Sequence, residues 1–551
     1  MFLDTAGVMR HSVEFAADLA AVRPDLSPGY AAALPGARAA VMGRLWRGLL
    51  CEPLPGLGER VATGGNVRVR LADGRDLTGP ARLPYDLAGE PVLRLDGVAY
   101  ADPAGLLVAL GLPGSEGLVD DLDNSVASMA LSRAGAASPV REPGPEHHEQ
   151  SVVDGHPYHP GCRNRPGVSV AEQLAYMPEH RPVVALDLVS VPAAECLVTG
   201  PWPGSLMDGD RLLLPVHPWQ TRHVLPELGV RPYATGVLPC HPLMSVRTLA
   251  PLDGGPHLKT AFTARMTSGV RDISPGSVRD CVPLSDLLTT LSARLGGRPR
   301  IARYLSGAAA AVHGEHTADL SVMLREPTPR RPGRTVLPVA ALAVPPAGDG
   351  TAFPLAGLIG TARHEAAREW LAAFADVAMA AALGLLALGV ALEAHGQNLL
   401  VVLDRRGAPV ELVYRDLADV RISPARLARN GFGRPPVSAR LLSDDPEVLH
   451  AKLFGSLVGT TFGSLVSLLG QGDRTSESRL WAVVAAAARR AFDALPDTAD
   501  VRADRDALFG ERIRVKAHLL ARLAGAPPGD SWTTLPNPLT QGASWALAHA
   551  Q

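Results

Sequence analysis

Apolar positions recur at helical spacing over His11–Val22 and Ala31–Leu50, and again over residues 115–133, SEGLVDDLDNSVASMALSR. Between them, Asn66–Leu71 alternates strictly, and the turn Ala72-Asp-Gly74 that follows predicts a hairpin. A Pro- and Gly-rich break at residues 134–146 reads as a domain boundary. From about 150 to 325 short apolar runs, prolines and polar motifs predict mixed α/β structure. Two loops rich in Pro and Gly fill 325–356. The later chain reads as long helices at 361–393, 444–470 and 476–496. One hairpin interrupts them: Asn398–Asp404, a turn at Arg405-Arg-Gly407, then Pro409–Asp416. Val377–Leu392 is an unbroken apolar run of 16 residues, bracketed by Asp376 and Glu393. It is too short for a membrane span and predicts a buried core helix.

Composition narrows the class. The 551 residues hold 53 Lys+Arg against 55 Asp+Glu, a formal charge of −2, so neither nucleic acid nor an anionic membrane is an expected partner. Apolar residues at 46% and charged residues at 20% fit a folded protein. Cys51, Cys162, Cys196, Cys240 and Cys281 form no C-x-x-C pair, which fits a reducing compartment. The N-terminus MFLDTAGVMRHSVEFAADL carries acids where a signal core would be apolar. A cytoplasmic enzyme is the expectation. P-loop, Rossmann, α/β-hydrolase and zincin motifs are missing from the sequence.

Four polar patches carry candidate chemistry. In Asp154-Gly-His-Pro-Tyr-His-Pro-Gly-Cys-Arg-Asn-Arg-Pro-Gly167, proline holds His156 and His159 extended, beside Arg163 and Arg165. An anion grip, a metal site through the two histidines and an ordinary Pro-rich loop all remain open there. Leu212-LLPVHPWQ220 ends an apolar strand on His217, which is either delivered to a cleft or a satisfied core histidine. From Ser245 to Arg271, Ser245, Arg247 and Thr248 alternate along a predicted short strand, and Lys259 returns after the turn Asp253-Gly-Gly-Pro256. Arg247, Lys259, Arg265 and Arg271 fall within 25 residues that hold a single acid, Asp253. Such a set suits a polyanion, a phosphate chain above all, and a basic surface strand is the alternative.

The fourth patch is Leu392-Glu-Ala-His-Gly-Gln-Asn398, followed by the hairpin that ends at Asp416. An apolar helix ending in several polar side chains needs partners for them. Glu393, the Asn398 amide and Asp416 are hard oxygen donors suited to Mg²⁺ on a nucleotide. An Asn and a later Asp holding metal is also the logic of kinases.

Taken in order, GHPYHPGCRNRPG, HPWQ, SVRT, LKT…TSGVR, EAHGQN and YRD416 resemble the IucA/IucC family of siderophore synthetases that work without a nonribosomal peptide synthetase. The resemblance covers roughly residues 120–420. It implies an α+β, multi-domain fold shaped like a cupped hand: a thumb at 1–140, fingers at 141–357 carrying the ATP-phosphate motifs, and a mostly helical palm at 358–551. It implies ATP as co-substrate with Mg²⁺, and adenylation of a carboxylate of citrate or a related acid. An amine or alcohol then displaces AMP. A homodimer is a family-level expectation.

Carried over residue by residue, Ser245, Arg247, Thr248 and Lys259 match nucleotide-phosphate contacts. His156, His159 and Arg163 match the phosphate-side loop, and Gln397 matches a nucleotide or substrate contact. Thr267, Ser268, Arg271 and His395 match residues at the carboxylate and the reacting phosphate, with Arg271 and His395 expected to be catalytic. Glu393, Asn398 and Asp416 match metal positions. Arg163 departs from the pattern, standing where the family has Lys. A kinase-like phosphotransferase, which would yield ADP, and a non-catalytic nucleotide- or metal-binding protein are the competing classes.

Overall fold

The structure is a computed structural model that describes residues 10–87, 89–138, 144–267, 269–343, 355, 363–523 and 530–540. Helices Arg10–Val22, Ser27–Cys51, Pro103–Leu110 and Glu116–Ala134 pack beside a five-stranded meander running from Leu57 to Tyr100. Asn66–Leu71 pairs with Asp76–Pro80, so the expected hairpin is present. Trp46, Leu77, Leu107 and Leu131 share this core with Leu519 and Leu523 from the other end of the chain.

The middle of the chain builds a nine-stranded antiparallel sheet in the order Cys196–Thr199, Tyr304–Val312, Glu315–Arg325, His257–Thr260, Thr248–Pro251, Ala234–Pro242, Val184–Pro192, Arg211–Val216, Met207–Asp208. Helix Pro275–Arg294 lies on it and also joins the C-terminal core through Val278, Leu284 and Leu288. Packing therefore crosses the expected joint near 357; that joint and the one at 140/141 lie outside the described residues.

C-terminally, helices Arg363–Leu388, Pro446–Ser456, Gly463–Gly470 and Arg474–Asp493 surround the hairpin Leu399–Leu403/Pro409–Tyr414. The helix expected over 361–393 stops at Leu388. Gly389 takes φ +110, where an added Cβ would lie 2.9 Å from the Arg426 Cβ and 3.1 Å from the Ser423 oxygen. Val390–Ala391 then forms a short strand against Arg421–Ile422. Periodicity could not separate the two, because that bridge is as buried as the helix. The helix expected over 444–470 runs from Pro446 to Gly470 and widens to a π turn at Leu457–Phe462. Glu365–Leu388 and Pro446–Gly470 are long and apolar enough to cross a membrane, and both are mostly buried inside the protein as core helices.

Candidate active site

Helix Glu116–Ala134 buries several polar residues, among them Asp121, Asn124, Ser125, Ser128 and Ser132. Buried polar groups require partners, and here they anchor the His-Pro loop. Asn124 Oδ1 accepts the Arg165 N–H at 2.7 Å, Ser125 Oγ accepts the Arg163 N–H at 3.1 Å and donates to the Pro160 carbonyl at 3.2 Å. Ser132 donates to Glu179 at 2.5 Å, and Arg165 pairs with the same carboxylate at 2.7 Å.

Arg163 is used in the same way. Its Nε donates to the Val153 carbonyl at 2.6 Å, Nη2 to the Val152 carbonyl, and Nη1 lies 3.8 Å from Glu179. This corrects the expected phosphate grip at Arg163: the planar fork is satisfied by carbonyls, which no sequence pattern announces. His156 and His159 do line the interior. The His156 Nδ1 accepts the N–H groups of Tyr158 and His159, at 3.2 and 3.1 Å, fixing the turn. Their rings meet His518, whose centroid lies 4.7 Å from His156 and 5.1 Å from His159. Burial first, then neighbouring charges, drives all three imidazoles well below the usual histidine range, His159 to about 3. Both ring nitrogens of His159 are buried without a hydrogen bond.

His217 is a core residue. Its ring sits between Tyr176 and Phe262, centroids 4.9 and 4.8 Å away, and Nδ1 accepts the Trp219 N–H.

Ser245 and Arg247 lie in a tight turn rather than on a strand, closed by the Thr248 N–H to the Ser245 carbonyl at 2.7 Å. The strand begins at Thr248, which stands directly opposite Lys259. Lys259 Nζ donates to Asp416 Oδ1 at 2.5 Å and to the Tyr304 hydroxyl at 3.2 Å, and that hydroxyl donates to Asp416 at 3.3 Å. Burial pulls Lys259 down to about 8, against the opposing pull of Asp416. Burial would raise Asp416, yet Lys259, Arg247 and Arg325 hold it well below the carboxylate range. Arg247 donates to the Asp272 carbonyl, while its Nε is buried and unpartnered. Beside Asp416, Arg415 grips Glu149 with both Nη atoms and donates Nε to the Gln397 carbonyl at 3.0 Å, which fixes the open end of the hairpin.

Glu393 follows the short strand. Its Oε1 lies 2.8 Å from Lys516 and 3.4 Å from Lys452, and its Oε2 3.6 Å from the His395 Nε2. Burial acts to raise Glu393, but His395 and the two lysines hold it well below normal. Lys452 also reaches Asp419 and Asp530, each at 3.2 Å. Asn398 Nδ2 donates to the Glu393 carbonyl at 3.2 Å. Each carboxylate expected to ligate metal thus faces lysine, and no trio of His, Cys, Asp or Glu converges on a metal position among the described residues. A closed cage is not present. What remains open is Asp416, a third exposed with Oδ2 free of hydrogen bonds among the described residues, and the Asn398 Oδ1. One or two oxygens fit Mg²⁺ when phosphates and water complete its shell.

Arg271 ends the strand Gly269–Arg271, and its Nη2 donates to the Met266 carbonyl at 2.9 Å. Burial and then Arg247 lower it to about 10, opposed by Asp416 and Glu393. Thr267 turns at φ 58, its N–H on the Asn164 carbonyl at 3.1 Å. Ser268 lies outside the described residues. Tyr304, Lys452, Lys516, His518 and Arg522 belong to the same surroundings and escaped the sequence reading. The only signal was the cationic spacing Lys516-x-His518-x-x-x-Arg522.

Residues 146–344 match the IucA/IucC family model. Over that segment the chain is similar to the IucA/IucC family. Residues 368–530 match a second family, described as ferric iron reductase FhuF-like transporter. Among curated relatives, the rhizobactin siderophore biosynthesis protein RhbC of Rhizobium meliloti is 28% identical over 468 residues, covering 73% of this chain and 78% of that protein. Staphyloferrin A synthase of Staphylococcus aureus is 24% identical over 417 residues, covering 68% and 69%. In structure, ATP-bound aerobactin synthetase IucA from Klebsiella pneumoniae superposes with a TM-score of 0.73 at 21% identity, covering 91% of this chain and 99% of that one. The family fold thus extends well beyond the matched segment.

Proposed function

We propose that this protein is an ATP-dependent ligase of the IucA/IucC kind. It adenylates one carboxylate of citrate or a related polycarboxylic acid and passes the acyl group to an amine or alcohol in siderophore synthesis. The observation that carries this reading is the contact of Lys259 with Asp416, with Arg247 and Arg271 adding positive charge around that carboxylate and His395 beside Glu393. The relatives' own names, a staphyloferrin synthase and a rhizobactin biosynthesis protein, support it. All five cysteines are free, in keeping with action in the cytoplasm.

In the first step a carboxylate oxygen attacks the α-phosphorus of ATP and pyrophosphate leaves. In the second, the amine nitrogen or alcohol oxygen attacks the acyl carbon, loses its proton, and AMP leaves. Both partners of the first step are anions, so preorganised cations supply most of the assistance. Lys259, Arg247, Thr248 and Ser245 hold the phosphates, with Gln397, His156 and His159 on the adjoining wall. Arg271 bridges the carboxylate and the α-phosphate, His395 stands beside it, and Thr267 and Ser268 orient the acid. Mg²⁺, when bound through Asp416 and Asn398 near Glu393, would neutralise phosphate charge.

Hydroxylamine trapping across citrate, 2-oxoglutarate and succinate tests the reading. Acyl-hydroxamate with stoichiometric AMP and pyrophosphate is the expected result. Formation of ADP would overturn it in favour of phosphoryl transfer.

A further inference from the structure

Asp121, 2% exposed side chain on helix Glu116–Ala134, is met from three directions. Asn164 of the His-Pro loop donates to its Oδ1 at 2.8 Å, Arg265 approaches Oδ1 at 2.5 Å, and Arg522 donates to Oδ2 through Nε at 3.1 Å and also through Nη2. Asp121 is the one carboxylate paired with either arginine among the described residues. Two guanidiniums on one carboxylate leave a surplus positive charge. Nη1 of Arg522, and Nε and Nη1 of Arg265, make no hydrogen bond among the described residues. Arg522 is 14% exposed and Arg265 38%, so their free edges stay accessible.

His159, 2% exposed and with both ring nitrogens unpartnered among the described residues, packs its ring 5.1 Å from that of His518, four positions before Arg522. After burial, the charges acting most on it are Arg522 and then Arg271. A neutral imidazole always carries one N–H donor, and a buried donor left unpaired is costly unless a ligand accepts from it.

We propose that Arg522 and Arg265, held on Asp121, form with His159 a second carboxylate subsite, which takes a carboxylate of the acid substrate other than the one activated at Arg271. The inference deepens the proposed function and rests on it. It requires a substrate with at least two carboxylates, and it makes Asp121 a positioning residue contributed by the N-terminal part of the chain. Charge-assisted, bidentate pairing is what arginine offers there.

The test measures binding of citrate, tricarballylate and succinate to the full chain by calorimetry with a non-hydrolysable ATP analogue present, alongside hydroxamate formation. Arg522→Gln, and Arg265→Gln on a more exposed residue, should each weaken tricarboxylate binding by about 10- to 100-fold. Both should shrink the preference for tricarboxylate over succinate and leave the affinity for the analogue unchanged. Asp121→Asn should shift the same preference by a smaller factor. Equal losses on every acid, unchanged binding in both arginine variants, or no binding of any of the three acids by the wild type would each overturn the subsite. If the wild type binds the acids but forms no hydroxamate, the ligase reading fails while the binding ratios still decide the subsite.

Discussion

Lys259 Nζ lies 2.5 Å from Asp416 Oδ1, although the two residues stand 157 positions apart. The contact joins an inner strand of the nine-stranded sheet to the open end of the C-terminal hairpin. Tyr304 closes the triangle, bonded to both. A cation proposed to hold phosphate and a carboxylate proposed to hold metal thereby sit against each other in the free protein. Binding of a magnesium–nucleotide complex would exchange that pairing for two new ones, so neither buried charge need stand alone.

Lys259 titrates near pH 8 in the free protein, because burial disfavours its charged form more than Asp416 favours it. In the proposed function its protonated form is the phosphate ligand. The kcat/KM for ATP should therefore fall as pH rises through about 8, and Lys259→Arg should remove that limb even where its absolute rate is lower. A limb that persists in the arginine variant would assign the titration elsewhere.

Arg163 tests the correction at the His-Pro loop. With its guanidinium on the Val152 and Val153 carbonyls, Arg163→Ala should cost about 2 kcal/mol of stability in urea unfolding while the KM for ATP moves little. A large rise in KM at unchanged stability would restore the phosphate grip.

Glu179 should behave as a buried ion-pair anchor. Burial would raise its pKa, but Arg163 and Arg165 hold the carboxyl well below the glutamate range. With the folded value below the unfolded one, its stabilisation is fully present above the unfolded pKa and is lost as pH falls toward the folded value. Glu179→Ala should cost about 3–5 kcal/mol near pH 7. The gap between wild type and variant should narrow as pH falls below about 4. Denaturant midpoints across pH read both effects.

The sequence made some of this legible and hid the rest for physical reasons. Two apolar runs around Arg405-Arg-Gly407 sufficed to bring Asn398 and Asp416 to one end, and the Arg415 N–H does bond the Asn398 carbonyl at 3.0 Å. The turn at Asp253–Pro256 likewise announced the pairing of Thr248 with Lys259. Arg163 was misread because residue type reports what a side chain can donate, not which carbonyls stand nearby. Lys516, His518 and Arg522 were missed because their contacts, Glu393, His156 and Asp121, are set by tertiary packing alone. The buried polar residues of Glu116–Ala134 were passed over because helical periodicity gives the apolar face and not what the polar positions anchor.

Gly396 sets how closely the Glu393–Asn398 loop can approach its neighbour. An added Cβ would lie 2.8 Å from the Ala340 nitrogen and 3.1 Å from its Cα, both backbone atoms, and the Ala340 N–H bonds the Gly396 carbonyl at 2.9 Å. Gly396→Ala should cost about 1–3 kcal/mol and lower kcat, because His395 and Gln397 must shift with the loop. A variant with normal stability and normal turnover would show that this approach is dispensable.

Arg271 offers the sharpest test of the reaction itself. It stays protonated at neutral pH, since burial and Arg247 lower it only to about 10. Asp416 and Glu393 both act on its charge, and the proposed function places the attacking carboxylate and the α-phosphate at Arg271. Arg271→Ala should reduce acid-dependent pyrophosphate release by about 10²–10³, the loss seen when one preorganised donor to a developing charge is removed. Nucleotide binding should survive, because Lys259 and Arg247 remain. Arg271→Lys should recover only part of the rate, since a point charge cannot hold two oxyanions in the plane a guanidinium offers. Near-normal turnover in the alanine variant would remove Arg271 from the reacting centre.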